Sequence, residues 1–317
     1  MWPIILRVVA IGIGGYIIKE LLTSSQDNKK EGVNCHDIFL AFNQNISIPK
    51  HKLQKLIQSR KALQKRIVDY FRLMSNVPLP NFYIQGSYKM GTMILTKDGT
   101  YDVDVGVYFL TKPRVEPFTL QKWVSESMIG HTVGGVQHRK KCVRVVYRGD
   151  FDIDLPVYYK APNDEHPYLA AKNDWLESDP KELCDWFDSK VDKSEQLLRI
   201  VKYFKVWASN RSRKMPSGIA FTVWAANYYK PNLRDDIAFY ETAKAIKESF
   251  LWSVTCDNPA TPKDDLVAKL NSDQKSAFED ELSKMINNCK AALKKTNYKE
   301  ATRSWKRIFG NRFPVAQ

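Results

Sequence analysis

The chain has 317 residues, of which 44% are hydrophobic and 26% are charged. These proportions are ordinary for a folded protein and exclude global disorder, and the length favours two domains over one. The formal net charge of +14 at pH 7 is not ordinary. It indicates a polyanionic partner, which is nucleic acid, an anionic membrane surface or nucleoside triphosphates in a basic cleft. Composition does not separate these three.

The cysteines argue against a cross-linked or zinc-bound fold. There are five of them, an odd number, and they are widely spaced with no Cys-x-x-Cys motif. Neither a disulfide framework nor a zinc module is indicated. The pattern fits a reducing, cytosolic compartment.

The N-terminal segment, residues 1–22, is apolar except for three charged side chains. Because about 20 apolar residues span a bilayer, we expect a transmembrane or interfacial anchor here, with a buried amphipathic helix as the alternative. A polar linker over residues 23–34 follows and carries two adjacent lysines. By the positive-inside tendency, these lysines place the rest of the chain in the cytoplasm, anchored to the inner membrane.

The middle of the chain predicts helices followed by strands. A short helix is expected over residues 36–45, and apolar side chains recur at helical spacing from Leu53 to Met74, which predicts a long amphipathic helix. Strands then alternate up to about residue 160, with one helix near residues 120–128.

The C-terminal half predicts helices. Residues 175–187 have the pattern of a capped helix, because Pro180 suits a first helical turn. Five more helical segments are expected: 195–207, 237–250, 264–270, 272–295 and 298–309. Residues 311–317 are expected to form a loose tail. The predicted fold class is therefore α+β, a mixed sheet with flanking helices followed by a helical domain.

Two motifs in the stretch from Ile84 to Phe109 carry the functional interpretation. Gly86-Ser87 ends a short apolar run, so the backbone N–H groups after the turn are free to face an anion. Asp102 and Asp104 begin an alternating strand, which places both carboxylates on one face. Mg²⁺ prefers a few carboxylate oxygens together with substrate phosphates. Acidic residues also alternate on many solvated strands, so the argument depends on the order of the motifs.

A third acidic strand supplies a further carboxylate. Asp152 and Asp154 lie two residues apart on one strand face, and their spacing does not decide which of them completes a metal site. The basic run before this strand ends at Arg144. Arg144 either reaches a phosphate from the cleft wall or belongs to an edge strand blunted by basic residues.

These residues resemble the nucleotidyltransferases of the polymerase-β superfamily, and within it the cGAS/DncV-like group that makes nucleotide second messengers. The resemblance covers roughly residues 35–310 of the chain. It implies a polymerase-β-like nucleotidyltransferase core with a spine helix over residues 35–165. A helical domain over residues 166–310 would complete the nucleotide cleft.

The resemblance also implies roles for single residues. Asp102 and Asp104 match the paired ligands of the catalytic metal, and Asp154 matches the third because Leu-Pro follows it. The metal would be Mg²⁺, with Mn²⁺ as a substitute. Four residues match the contacts to the donor nucleotide: Gly86, Ser87, Lys202 and Ser217. Several relatives carry an aromatic residue after that serine, whereas Gly218 stands here, so the choice of base is not implied.

The implied activity is the condensation of NTPs, ATP or GTP, into a cyclic di- or trinucleotide by two-metal phosphoryl transfer. Antiphage signalling through an effector that recognises the product is the implied setting. Two alternatives stay open. One is synthesis of linear oligonucleotides or addition of nucleotides to an RNA end, which the net charge favours. The other is a catalytically inactive membrane adaptor, against which the intact acidic triad argues.

Overall fold

A computed structural model describes residues 32–251, 253–261 and 264–316. The expected anchor over residues 1–22 and most of the linker lie outside these residues. Among the helices of the described ranges, none is both long enough and apolar enough to cross a membrane.

The described residues form ten helices and eight strands, which are numbered in chain order. The helices are α1 (His36–Ile46), α2 (Lys50–Arg72), α3 (Gly86–Lys89), α4 (Pro117–Ser127), α5 (Pro180–Asp188), α6 (Gln196–Ser209), α7 (Gly218–Asn227), α8 (Asp235–Glu248), α9 (Ser272–Leu293) and α10 (Tyr298–Phe309). The strands are β1 (Asn81–Gln85), β2 (Tyr101–Phe109), β3 (Val136–His138), β4 (Val143–Tyr147), β5 (Phe151–Leu155), β6 (Val157–Tyr159), β7 (Tyr168–Ala171) and β8 (Asp174–Glu177).

The eight strands make one mixed sheet in the order β3-β4-β5-β2-β6-β7-β8, with β1 also paired to β2. Strand β2 runs antiparallel to β1 and parallel to both β5 and β6. The parallel register sets Asp102 beside Asp152 and Asp104 beside Asp154. Since side chains alternate along a strand, the acidic residues of both strands share one face of the sheet. The predicted α+β class with a mixed sheet and flanking helices is confirmed.

The other face of the sheet is apolar and is covered by α2 and α4. On α2 the buried side chains Leu56, Leu63, Ile67 and Phe71 recur every four or seven residues, which is the spacing of one helix face. They pack with the buried valines of β2 in a single cluster. The acidic face is thereby turned away from this core, toward the helical half of the chain.

A second core is built by the helices. Its centre is aromatic and includes Phe39, Tyr203, Trp305 and Phe309 from three different helices. Helix α1 contributes its buried side chains to this helical core, although it precedes the sheet in sequence. The chain therefore begins its described part in the helical half, crosses to the sheet, and returns.

One predicted helical segment, 264–270, is wrong, and the segment at 175–187 is helical only from Pro180 onward. Residues 174–177 form β8 because they pair with β7, and the helix begins only at Pro180, where the Asp179 carboxylate accepts a hydrogen bond from the Glu182 N–H. The segment at 264–270 has no helix in its described residues. There the Asp265 side chain accepts hydrogen bonds from backbone N–H groups, which competes with helix formation.

The tail is packed rather than loose over residues 311–316. Phe313 is 1% exposed and contacts the rings of Phe39 and Phe309 in the helical core. The Ala316 N–H donates a hydrogen bond to Thr302 Oγ1 over 3.2 Å. An aromatic anchor and a terminal hydrogen bond hold the last described residues against α10.

Candidate active site

A cavity of about 310 Å³ opens between the sheet and the helical half. The sheet side contributes the predicted residues Gly86, Ser87, Asp102 and Asp104, and the helical side contributes Lys205, Gly218, Ile219 and Thr222. The predicted Gly-Ser turn and paired carboxylates therefore lie at one site. The two halves of the chain meet there.

The Gly-Ser turn lies directly over the paired carboxylates because β1 is antiparallel to β2 and pairs Gln85 with Asp104. Gly86 adopts φ +62°, a left-handed conformation that favours glycine. A Cβ atom at this position would lie 2.5 Å from the Asp104 Oδ2 atom. Glycine is thus required both by the backbone conformation and by the close approach of the carboxylate.

Asp104 is the most perturbed of the acidic residues. Burial raises the pKa of its carboxyl to about 7, and the neighbouring charges of Asp154 and Asp102 act in the same direction. Asp102, nearer the strand end, keeps 62% of its side chain exposed. A half-buried carboxylate beside like charges gains from a bound cation, because the cation offsets both burial and repulsion.

Asp154, the third predicted ligand, is engaged by an arginine. Arg144 on β4 lies opposite Asp154 in the antiparallel register and donates from Nε to Oδ1 over 2.7 Å and from Nη2 to Oδ2 over 2.6 Å. Its Nη1 donates to Asp152 Oδ2 over 2.9 Å, and its Nη2 lies 3.5 Å from Asp102 Oδ2. Hydrogen bonding to Asp154 raises the pKa of Arg144.

The two lysines of α6 lie at different cavities. Lys205 lines the acidic cavity, donates to Thr92 Oγ1 over 2.9 Å, and has its pKa lowered to about 7 by burial. Lys202, the predicted donor contact, lines an adjoining cavity of about 190 Å³, and its ammonium donates to Ser47 Oγ over 3.4 Å. Ser87 borders both cavities.

Sequence reasoning missed Lys205. A signal was present, because it follows Lys202 by three residues and side chains at that spacing share a helix face. The rotation of α6 about its axis decides which of the two lysines points at the carboxylates.

Ser217, the other predicted phosphate contact, caps α7. Its Oγ accepts a hydrogen bond from the Ala220 N–H over 3.3 Å. Gly218 and Ile219, in the first turn of α7, line the acidic cavity. The N-terminus of a ten-residue helix therefore faces the cavity, and helix N-termini favour anions such as phosphate.

Another acidic group lies elsewhere in the fold. Within the described ranges, one set of three potential metal ligands has its ligand atoms all within 4.8 Å of one another, and it consists of His166, Asp179 and Glu182. Asp179 and Glu182 border a different cavity, of about 600 Å³. His166 Nδ1 lies 3.4 Å from Glu182 Oε2 and 3.7 Å from Asp179 Oδ2. These contacts tie the loop before β7 to the start of α5.

Comparison with known proteins gives a family match for part of the chain. Residues 80–158 match the family model described as the nucleotidyltransferase domain of cyclic GMP-AMP synthase DncV-like proteins. This range runs from the strand before the Gly-Ser turn to the strand after Asp154. Over this range the chain is similar to the DncV-like nucleotidyltransferase domain, and the resemblance stated from the sequence is confirmed.

Individual relatives extend the likeness beyond this domain. A curated cyclic GMP-AMP synthase of Escherichia albertii is 26% identical over 307 aligned positions, covering 89% of this chain and 68% of that protein. Vibrio cholerae DncV in complex with nonhydrolyzable GTP superposes with a TM-score of 0.77 at 17% identity, covering 90% and 99% of the two chains. Bradyrhizobium diazoefficiens CdnG in complex with GTP superposes with a TM-score of 0.75 at 14% identity, covering 87% of this chain and 94% of that chain. These structures share the fold of both halves.

Proposed function

We propose that this protein is a nucleotidyltransferase that condenses NTPs into a cyclic di- or trinucleotide second messenger. The observation that carries the proposal is the cavity between the halves. It brings Asp102 and Asp104 together with the Gly86-Ser87 turn and a buried lysine, Lys205. Carboxylates for a metal and cationic or N–H groups for phosphates are what phosphoryl transfer needs, because its catalysis is positioning and charge stabilisation.

The metal site would consist of Asp102, Asp104 and Asp154. The residues fit a hard divalent cation, Mg²⁺ or Mn²⁺, because all are carboxylates on adjacent strands with Asp104 paired to Asp154 in register. When bound, such ions activate a hydroxyl nucleophile and stabilise charge on the leaving pyrophosphate. Asp154 would help to hold the ion that activates the acceptor hydroxyl. Asp102 and Asp104 would help to hold both that ion and the ion at the leaving pyrophosphate.

The donor triphosphate would lie between the Gly-Ser turn and the start of α7. Gly86 and Ser87 line one side of the cavity, and Gly218 with Ile219 offers the N-terminus of α7 on the other. Lys205 lies beside Gly218, since a Cβ on Gly218 would be 3.3 Å from its Cε. We assign the principal lysine contact to Lys205, with Lys202 and Ser217 as flanking contacts.

The names of the relatives support the cyclic product. The Escherichia albertii protein is a cyclic GMP-AMP synthase, and DncV has been captured with the linear intermediate 5′ pppA(3′,5′)pG. We therefore favour ATP and GTP as substrates. We further propose that the product acts in antiphage signalling through a separate effector that recognises it.

A second candidate function is nucleotide addition to an RNA end or synthesis of a linear oligonucleotide. The net charge of +14 favours it, because a polyanionic acceptor needs a basic track. One experiment separates the candidates. The purified protein is incubated with Mg²⁺ and labelled NTPs, alone and in pairs, with and without RNA, and products are resolved after phosphatase treatment. Phosphatase-resistant cyclic products would support the proposal, whereas extended RNA or only linear products would overturn it.

A further inference from the structure

The guanidinium of Arg144 touches three carboxylates of the acidic face at once. It forms two hydrogen bonds with Asp154 and one with Asp152, and it lies within ion-pair distance of Asp102. Its side chain is only 14% exposed. Throughout the described residues, every ion pair of these three carboxylates is to Arg144.

The position of Arg144 follows from the sheet register. It lies directly across from Asp154 on β4, and Asp102 lies beside Asp152 on the strand beyond. A planar guanidinium that projects from β4 therefore reaches along a row of carboxylates on the same face. Among the described residues, Lys205 is a second cation near this row; its charge acts on Asp104 from the helical side, and its ammonium donates a hydrogen bond to Thr92.

This arrangement conflicts with metal binding at Asp154. Each oxygen of Asp154 accepts one hydrogen bond in the two-pronged contact from Arg144, which is the strong form of an arginine-carboxylate pair. The three proposed ligands are also not among the described groups whose ligand atoms lie within 4.8 Å of one another. A cation that uses Asp154 together with Asp102 and Asp104 must therefore shift at least one of these carboxylates, and at Asp154 it must compete with the positive charge of Arg144.

We propose that Arg144 is an internal counter-cation that holds Asp154 in the metal-free enzyme and competes with a divalent metal ion for it. The inference rests on the metal assignment of the proposed function. The arginine neutralises part of the acidic row until metal replaces it. The released guanidinium is then free to bind a phosphate, which is a preferred partner of arginine.

The test measures metal affinity directly. Mn²⁺ is titrated calorimetrically into the full-length, metal-free protein and into the Arg144→Gln and Arg144→Lys variants. Hydrogen bonds to charged groups shift an equilibrium about tenfold or more, so Arg144→Gln should bind Mn²⁺ about tenfold or more tightly. Arg144→Lys keeps the positive charge but lacks the two-pronged geometry of the guanidinium. Its Mn²⁺ affinity should lie between those of the wild type and Arg144→Gln. Arg139→Gln is the matched control, because Arg139 is exposed and hydrogen-bonded to Gln137, and its Mn²⁺ affinity should stay close to that of the wild type.

Thermal melting supplies an independent readout. In EDTA, Arg144→Gln should melt below the wild type, because the acidic row loses its counter-charge, and saturating Mn²⁺ should close most of this gap. If Arg144→Gln binds Mn²⁺ no more tightly than the wild type, or if Mn²⁺ does not reduce the difference in melting temperature, Arg144 only stabilises the sheet. That outcome would overturn this inference and leave the metal assignment standing. No Mn²⁺ binding by any of the proteins would overturn the metal assignment and the inference with it.

Discussion

Two groups of aspartates, one in the helical half and one on the sheet, differ in how their charge is balanced. At the start of α8, Asp235 and Asp236 are fully buried, and each is paired with its own arginine, Arg199 and Arg234. On the sheet, one arginine serves three carboxylates, and Asp104 lies beside them as a fourth acid. The first group is neutral as a whole, and the second carries a surplus of negative charge.

The details of the α8 group show how a buried acid becomes structural. Arg199 donates to both oxygens of Asp235, and Gln196 and Tyr203 donate to them as well. Burial works to raise the pKa of Asp235, but the hydrogen bonds from Arg199 and Gln196 outweigh it and hold the pKa below its usual value. The position in the first helical turn is also favourable for an anion.

The difference indicates what each group is for. A buried acid with complete partners stabilises one arrangement of the fold, whereas an acidic face with too few partners costs stability and gains from a bound cation. Such a cost is expected where function requires it. The comparison predicts opposite consequences for removing a charge from the two groups.

The largest effect is expected from Asp104→Asn. Loss of a metal ligand should lower the rate of synthesis roughly a thousandfold, because stabilisation of transition-state charge by metal is worth several kcal/mol. The metal-free variant should melt at the same temperature as the wild type or higher, since the removed charge belongs to a carboxyl whose pKa is raised to about 7 by burial. Product formation and melting in EDTA provide the two measurements. Asp69→Asn, at an exposed ion pair on α2, is the control. It should change neither the rate of synthesis nor the melting temperature by much. Near-normal turnover in Asp104→Asn would refute the metal assignment.

Asp235→Ala should have the opposite profile. It leaves Arg199 without its carboxylate in the helical core, which typically costs about 3 kcal/mol or more in the free energy of unfolding. Chemical denaturation measures this loss. Turnover per folded molecule should remain close to that of the wild type. The double variant with Arg199→Ala should lose less than the sum of the single losses, because the two residues act as a pair. Additive losses would show that the pair is not a unit.

The two lysines of α6 give a smaller and more local test. Lys205→Met should weaken NTP binding by about tenfold or more, because a contact to a charged phosphate is lost. The corresponding NMP should be affected much less, since it lacks the β- and γ-phosphates. Lys202→Met, at the adjoining cavity, should have the lesser effect on the NTP. If Lys202→Met proves the more damaging, the donor triphosphate extends into the smaller cavity and the assignment to Lys205 is wrong.

Local patterns predicted much of the fold and part of the site. Short local patterns are enough to predict the alternating strand β2, the helix α10 and the Gly-Ser turn. The sequence also indicated that Asp102 and Asp104 share a face. The structure adds that the turn reaches the same cavity, through the antiparallel pairing of β1 with β2.

The remaining features depend on contacts between residues far apart in sequence. Strand β8 exists because β7 pairs with it, and no local pattern in its four residues requires this. The contact of Arg144 with Asp154 and Asp102 needs three strands in register. The choice between Lys202 and Lys205 needs the rotation of α6 against the sheet. In each case the sequence supplies the residue, and tertiary packing decides what it faces.

The smallest effect concerns how Asp104 is held in place. Hydrogen-bond donors surround the carboxylate of Asp235, whereas that of Asp104 lies against the backbone of Gly86, where a Cβ atom would approach its Oδ2 to 2.5 Å. Gly99 has a similar left-handed conformation, with φ +74°, and open space around it. Alanine costs about 1 kcal/mol at either position because of the backbone conformation.

Gly86→Ala should therefore lose about 1 kcal/mol more stability than Gly99→Ala, because overpacking adds its own cost. It should also lower the rate of synthesis and Mn²⁺ affinity, since the added methyl group displaces the Asp104 carboxylate, whereas Gly99→Ala should keep both. Denaturation curves, initial rates and Mn²⁺ titrations of the two variants make a matched comparison in which backbone strain cancels. Equal behaviour of the pair would mean that Asp104 is positioned by something other than the Gly86 backbone, and the two aspartate groups would then differ only in their charge balance.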